Sequence, residues 1–248
     1  MGNAVRDFFA ENGYYLARGV YSPREIGLLR EEFDRIVHQV TEASEPGTGP
    51  NAKEDNGIIS TFNVQKYSAY WLTHGLLHKP FLDLAEQFIG PDIVLQRTSL
   101  YEKRKADVVG PFRMHQDWIY GPMEKDTMVA GMIHVARVTA PMGALRIYPG
   151  SHRARIENAR TSDEDFNRRF PLEGALVIEG EPGDVLFFHY SLVHGSKSNQ
   201  IDEPRKIVHV RMFSGRDRRE KHSQPFENLV LRGWNSNANA TNATSDNP

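Results

Sequence analysis

Apolar residues recur at intervals of three and four in the first third of the chain and at alternate positions after Pro91, so a helical opening precedes a β-rich body. Val5, Phe8 and Phe9 share a helical face over residues 3–11, and Gly13 follows as a stop signal. Tyr14 to Val20 reads as a short strand. Ser22-Pro23-Arg24-Glu25 joins an N-cap serine, a proline at the first helical position and a capping-box glutamate, which predicts a helix over 23–42. Ile26, Leu29, Phe33, Ile36 and Val40 form its packed face, while Arg24, Arg30, Glu31 and Glu32 face water.

Residues 43–60 hold two prolines and three glycines without any period, which predicts a long mobile loop, either a lid or a surface insertion. From Tyr67 to Ile89 helical spacing returns, with Pro80 opening the second of two helices and Gly90 closing it. Strands are then expected over Ile93–Tyr101, Phe112–Trp118, Met128–Val138, Ala144–Tyr148, Ala175–Ile178, Val185–His189 and Arg205–Phe213. Many short strands without βαβ alternation indicate an antiparallel sandwich or jelly roll with N-terminal helices packed on its sheet. The polar stretch 153–170 is an insertion that could also cover a site. One domain over 1–234 is expected, with 235–248, a low-complexity Asn/Ala/Thr/Ser run, as a disordered tail.

Composition narrows the chemistry. The 248 residues are 39 % hydrophobic, enough for one sizeable core, and 30 basic against 32 acidic residues give no global reason to bind nucleic acid or anionic membranes. No signal-peptide core or membrane-length apolar run is seen, so a cytoplasmic protein acting on a small molecule is expected. With no cysteine, a metal would have to be held by His, Asp or Glu.

His115 and Asp117 are two residues apart in an expected strand, so both point to one side. Two histidines and a carboxylate form the facial ligand set of non-haem Fe(II) oxygenases, with open positions for co-substrate and oxygen. His194 would be the third ligand, and His189 competes with it. Gln116, between the first two, should face away and support them.

The order His115-Gln116-Asp117, Gly143-Ala-Leu-Arg-Ile-Tyr-Pro-Gly-Ser-His152, Pro182-Gly-Asp184-Val-Leu-Phe-Phe188, His194-Gly-Ser196 and Arg205 resembles the phytanoyl-CoA dioxygenase family of Fe(II)/2-oxoglutarate oxygenases over roughly residues 6–215. The resemblance implies a double-stranded β-helix of the cupin-like kind, with Fe(II), 2-oxoglutarate and O2 as cofactor and co-substrates. It implies His115, Asp117 and His194 as metal ligands, and Arg205 as partner of the distal 2-oxoglutarate carboxylate, a role suited to a planar guanidinium fork. Ser196 can bond the same carboxylate or merely stabilise a turn. Relatives often have tryptophan where His134 stands and asparagine where Met142 stands. Asp117 favours a hydroxylase over a halogenase, in which a small residue takes that place.

Strand parity puts Arg205, Ile207, His209, Arg211 and Phe213 on one face. Arg211, and after it His209, are candidate substrate contacts unless internal carboxylates pair with them; Arg97, Arg113 and Arg146 are next in line. Trp118 is open between cavity wall and core. The expected activity is oxidation of an unactivated C–H bond of a small molecule, in secondary metabolism. The alternatives are a zinc-dependent hydrolase, with similar ligands but no use for Arg205, and a non-catalytic jelly-roll binding protein.

Overall fold

The computed structural model describes residues 2–42, 53–55, 57–105, 112–160, 162–220 and 228–238. Helix α1 (Gly2–Asn12) leads into strand β1 (Tyr14–Ala17), shorter than expected, and then into α2 (Pro23–Glu42). The capping box is formed as the sequence demands: Ser22 N–H donates to Glu25 Oε2 at 2.8 Å and Glu25 N–H to Ser22 Oγ at 3.3 Å. Helix α2 buries Ile26, Leu29, Phe33, Ile36, Val37 and Val40, and Leu29→Ala would cost roughly 2–5 kcal/mol as a cavity in that face.

The expected loop over 43–60 needs correction. Residues 43–52 and 56 lie outside the described residues, but β2 (Lys53–Asp55) and β3 (Ile58–Phe62) form a hairpin that extends the sheet. The Pro/Gly cluster is confined to 46–50, and Ile58, Ile59 and Thr61 beyond it favour a strand. A 3-10 turn (Val64–Lys66), a π-helical turn (Trp71–Leu76) and α3 (Lys79–Ile89) follow, the last ended by Gly90 at φ 95°.

The β body contains β4 (Ile93–Lys103), β5 (Phe112–His115), β6 (Val129–His134), β7 (Leu145–Ile147), β8 (Leu176–Ile178), β9 (Val185–His189), β10 (His194–Ser196), β11 (Arg205–Ser214) and β12 (Leu229–Arg232). Two antiparallel sheets result. The larger has the order β1-β9-β6-β11-β4-β3-β2, with β12 also on β4, and the smaller has β5-β10-β7-β8; neither sheet closes among the described residues. Strands β10 and β12 are additions to the expected set, and β5 ends at His115, where a 3-10 turn (Asp117–Tyr120) begins.

Alternation along the larger sheet sends one row of side chains to the helices and the other to the smaller sheet. Val185, Phe187, Val129, Ile133, Val208, Val210 and Met212 join Phe33, Phe81 and Trp71 in the helical core. Leu186, Phe188, Ala130, Met132 and Ile207 meet Leu145, Ile147 and Ile178 of the smaller sheet. Gly131 lets the Phe81 ring approach the sheet, since a Cβ there would sit 2.8 Å from that ring. Helices thus cover the back of the larger sheet, and its front closes over a cavity.

The insertion 153–170 contains a short helix, α4 (Glu164–Arg169), and contributes no lining residue to that cavity. Of the expected tail, residues 236–238 form a turn in which Asn237 Nδ2 donates to Gly215 O at 3.2 Å, and the remainder from 239 lies outside the described residues. No described helix is long and apolar enough to cross a membrane.

Candidate metal centre

Strands β5 and β10 pair so that His115 and His194 are direct Cα partners, and their ring centroids lie 4.3 Å apart. Gln116 keeps an extended backbone (φ −115°, ψ 141°) after the ladder ends, so Asp117 still returns to the side of His115. Ligand atoms of His115, Asp117 and His194 all lie within 4.8 Å of one another, the only such group of His and acidic residues among the described residues.

The hydrogen bonds fix how these groups present themselves. His115 Nδ1 lies 2.9 Å from Arg113 O, and His194 Nδ1 lies 2.9 Å from Leu192 O. In the tautomer these contacts select, each Nδ1–H donates to a carbonyl and each Nε2 lone pair turns inward. Nε2 of His115 is 3.6 Å from Asp117 Oδ1, and Nε2 of His194 is 3.9 Å from Asp117 Oδ2. Asp117 Oδ1 accepts from Arg211 at 3.2 Å, whereas the buried Oδ2 has no partner. Burial opposes ionisation of Asp117, yet the charges of Arg211 and the two histidines prevail and hold its carboxyl well below the usual range. His194 is pushed down to about 4, first by burial and then by His115. A carboxylate oxygen without a donor, between two imidazole lone pairs, fits a divalent cation.

Gln116 points the other way and ties the loop down. Its amide donates to Ala154 O at 3.0 Å and to Ser191 O, while its oxygen accepts from Trp118 Nε1 at 2.8 Å and Ile156 N at 2.9 Å. Tyr190 O accepts from both Asp117 N and Trp118 N, at 2.8 and 3.2 Å. Trp118, open in the sequence between cavity wall and core, takes the core side and packs half-buried against Val94, Met123, Met128, Tyr190 and Phe213. The strand has ended by that point, so alternation no longer sets its direction. His189 is also turned away from the centre, with Nε2 2.7 Å from Asp126 O.

Arg205 lies in the same cavity as the triad, only 3 % exposed. One guanidinium N–H donates to Gly143 O, Nε has no partner, and no carboxylate pairs with it among the described residues. Burial lowers its pKa to about 10, against the opposing influence of Tyr101. Gly143 has φ 74°, and a Cβ there would meet Lys197 O at 2.2 Å, so this turn requires glycine. Lys206 points to the opposite side, bonded to Asp34 at 2.6 Å.

Sequence reasoning missed Lys103, directly opposite Arg205 on β4. It is 2 % exposed, and its ammonium donates to Ser196 Oγ at 2.7 Å and Lys197 O at 2.8 Å. Burial, followed by the charge of Arg205, pushes its pKa well down. The available signal was parity, since Lys103 follows Tyr101 by two. Ser196 borders the cavity, as do His209 and Arg211. The His209 ring stacks on Phe188 at 5.5 Å and 7°, its pKa held down at about 3 by burial first. Arg113 instead bonds Glu164 at 2.6 Å, and Arg146 bonds Leu172 O at 3.1 Å. His134 packs over Gly180 without lining the cavity.

Comparison with known proteins gives a family match. The family profile described as Phytanoyl-CoA dioxygenase (PhyH) matches residues 9–207. A probable phytanoyl-CoA dioxygenase of Caenorhabditis elegans is 25 % identical over 82 % of this chain and 72 % of its own. The peroxisomal phytanoyl-CoA dioxygenase of Mus musculus is 26 % identical over 82 % of this chain but only 65 % of its own, so this chain spans about two thirds of that relative. Among solved structures, the α-ketoglutarate-dependent epimerase SnoN from nogalamycin biosynthesis superposes with a TM-score of 0.75 at 16 % identity, covering 94 % of this chain and 98 % of that one. EctD from S. alaskensis with bound Fe gives 0.73 at 23 %, covering 92 % and 83 %. These superpositions show a shared cupin-like fold.

Proposed function

Because this chain belongs to the phytanoyl-CoA dioxygenase family, we propose that it is an Fe(II)- and 2-oxoglutarate-dependent dioxygenase that hydroxylates an unactivated C–H bond of a small molecule. One observation carries the reading. A single cavity joins an orphaned carboxylate oxygen between two imidazole nitrogens to a buried guanidinium that lacks a carboxylate among the described residues.

His115 Nε2, Asp117 Oδ2 and His194 Nε2 would hold the metal on one face, leaving positions open. Bound there, iron with 2-oxoglutarate and O2 supplies the oxidising power, and the co-substrate leaves as succinate and CO2. The protein's own work is orientation and exclusion of water. Arg211 occupies Asp117 Oδ1, so the carboxylate offers the metal one oxygen rather than two. Arg205 presents its fork to the distal carboxylate of 2-oxoglutarate. Since Lys103 donates to Ser196 Oγ, the serine's own proton remains to be given to that same carboxylate. Met132, Leu145, Phe188 and Ile207 wall the space with apolar surface, which strengthens the charged contacts inside.

A zinc-dependent hydrolase would have no use for the carboxylate-free Arg205. A non-catalytic binding protein would leave the Asp117 oxygen buried and unsatisfied at a cost of about 1–3 kcal/mol or more. The substrate belongs in this reading to secondary metabolism, with the enzyme in the cytoplasm. Succinate formation from 2-oxoglutarate with Fe(II) and O2 tests it. Loss of that formation in Asp117→Ala is expected, and metal-dependent hydrolysis without 2-oxoglutarate consumption would contradict it.

A further inference from the structure

Strands β4 and β11 bring like charges face to face twice. Arg205 stands opposite Lys103 at one end of their ladder, and Arg211 opposite Arg97 toward the other. Directly opposed like charges destabilise an antiparallel pair. At the first end the distal carboxylate of 2-oxoglutarate would offset them, and at the second the Arg97 guanidinium stacks on Phe62 at 4.5 Å. At the second, Asp117 gives Arg211 a single contact at 3.2 Å, while the buried Nε of Arg211 has no partner. Beside it His209, 5 % exposed, also leaves Nε2 without a partner at the cavity wall.

The charge balance points the same way. Arg205 and Arg211 face one carboxylate, Asp117, among the described residues lining the cavity. Glu102 does not correct this, because it turns outward to Arg104 and Lys206. An iron(II) ion and a 2-oxoglutarate dianion cancel each other and leave the excess in place. Arg211 lies six positions along β11 from Arg205, roughly 20 Å of strand. Each guanidinium is anchored, at Gly143 and at Asp117, so a five-carbon diacid held by Arg205 does not satisfy the second end.

We propose that the substrate is a carboxylic acid whose carboxylate is held by Arg211 and His209, on the metal side of the cavity. This rests on the oxygenase reading above. Arg211 then has two tasks: one N–H fixes Asp117, and the remaining donors bind substrate. His209, neutral and stacked on Phe188, gives an N–H at low cost because its ring is already immobile.

The test uses calorimetry on the full chain loaded with redox-inert Zn(II) and 2-oxoglutarate. Straight-chain carboxylates from acetate to decanoate are titrated against the primary amides of the same lengths. Binding of 2-oxoglutarate in the first step checks the oxygenase reading by itself. The carboxylate should bind roughly tenfold or more tightly than its amide at the best length, as a charge-assisted bond implies. In His209→Leu, which leaves the Arg211–Asp117 contact in place, the advantage should fall severalfold while 2-oxoglutarate affinity stays within about threefold of wild type. If His209→Leu does not fold by circular dichroism, His209→Phe, which keeps a ring against Phe188 without the N–H, should show the same loss. Equal binding of acid and amide, no binding of either series, or an advantage that survives the substitution overturns the proposal. So does loss of 2-oxoglutarate affinity in His209→Leu, which would make that histidine a co-substrate contact.

Discussion

His115 and His194 face each other across two paired strands, and each places Nδ1 2.9 Å from the carbonyl two residues before it. The same local bond, made twice, turns both Nε2 atoms toward Asp117. Because the rings are oriented before any ion arrives, metal binding needs little reorganisation.

Removing one ring should therefore be costly. His194→Ala is expected to weaken Co(II) binding by more than about 100-fold, beyond the 10- to 100-fold typical of supporting residues. Isothermal calorimetry on both proteins measures it. An affinity within threefold of wild type would remove His194 from the ligand set.

Arg205→Ala should raise the apparent Michaelis constant for 2-oxoglutarate roughly 10- to 150-fold, the equivalent of a charge-assisted bond of about 1.5–3 kcal/mol. Arg205→Lys should recover little, since an ammonium cannot form the fork. Steady-state kinetics with varied 2-oxoglutarate decide the matter, and an unmoved constant would leave the buried guanidinium without a role.

Gln116→Leu should destabilise the fold by about 2–4 kcal/mol, because the carbonyls of Ala154 and Ser191, the Trp118 indole N–H and the Ile156 amide would all lose their partner. Urea denaturation reads the change directly. A loss under 1 kcal/mol would mean that water replaces the glutamine.

Acid should loosen the protein before its carboxylates titrate. His134 and His189 are each pushed down to about 4, mainly by burial, against an ordinary 6.5. Between those values the unfolded chain binds protons that the native state refuses. Stability is thus full above about pH 6.5 and falls as pH drops toward 4, by about 2 kcal/mol per histidine at pH 5. Denaturation at pH 7 and pH 5 should show this loss, and His189→Gln should show less of it. A pH-independent midpoint over that range would contradict the buried, neutral state of these rings.

Legibility in the sequence followed the strength of local signals. Helix α2 could be read to its ends because Ser22, Pro23 and Glu25 mark its start and an apolar stripe runs its whole length. Strand β10, three residues with glycine at its centre, has no alternation to read. Trp118 stayed open between wall and core because β5 gives way there to a 3-10 turn, and a period of two holds only while the chain stays extended. The triad came from spacing and order, and the structure brings its three side chains together. Lys103 was overlooked for a different reason: lysine is usually solvated, and parity with Tyr101 gains meaning only once the register with Arg205 is known.

The central claim is that one cavity binds a metal and 2-oxoglutarate together. Anaerobic addition of Fe(II) and then 2-oxoglutarate, followed by visible absorption, tests it most directly. A charge-transfer band should grow to saturation with about one equivalent of each, need far more 2-oxoglutarate in Arg205→Ala, and fail to appear in Asp117→Ala. Tight Fe(II) binding with no band at any 2-oxoglutarate concentration would contradict the account.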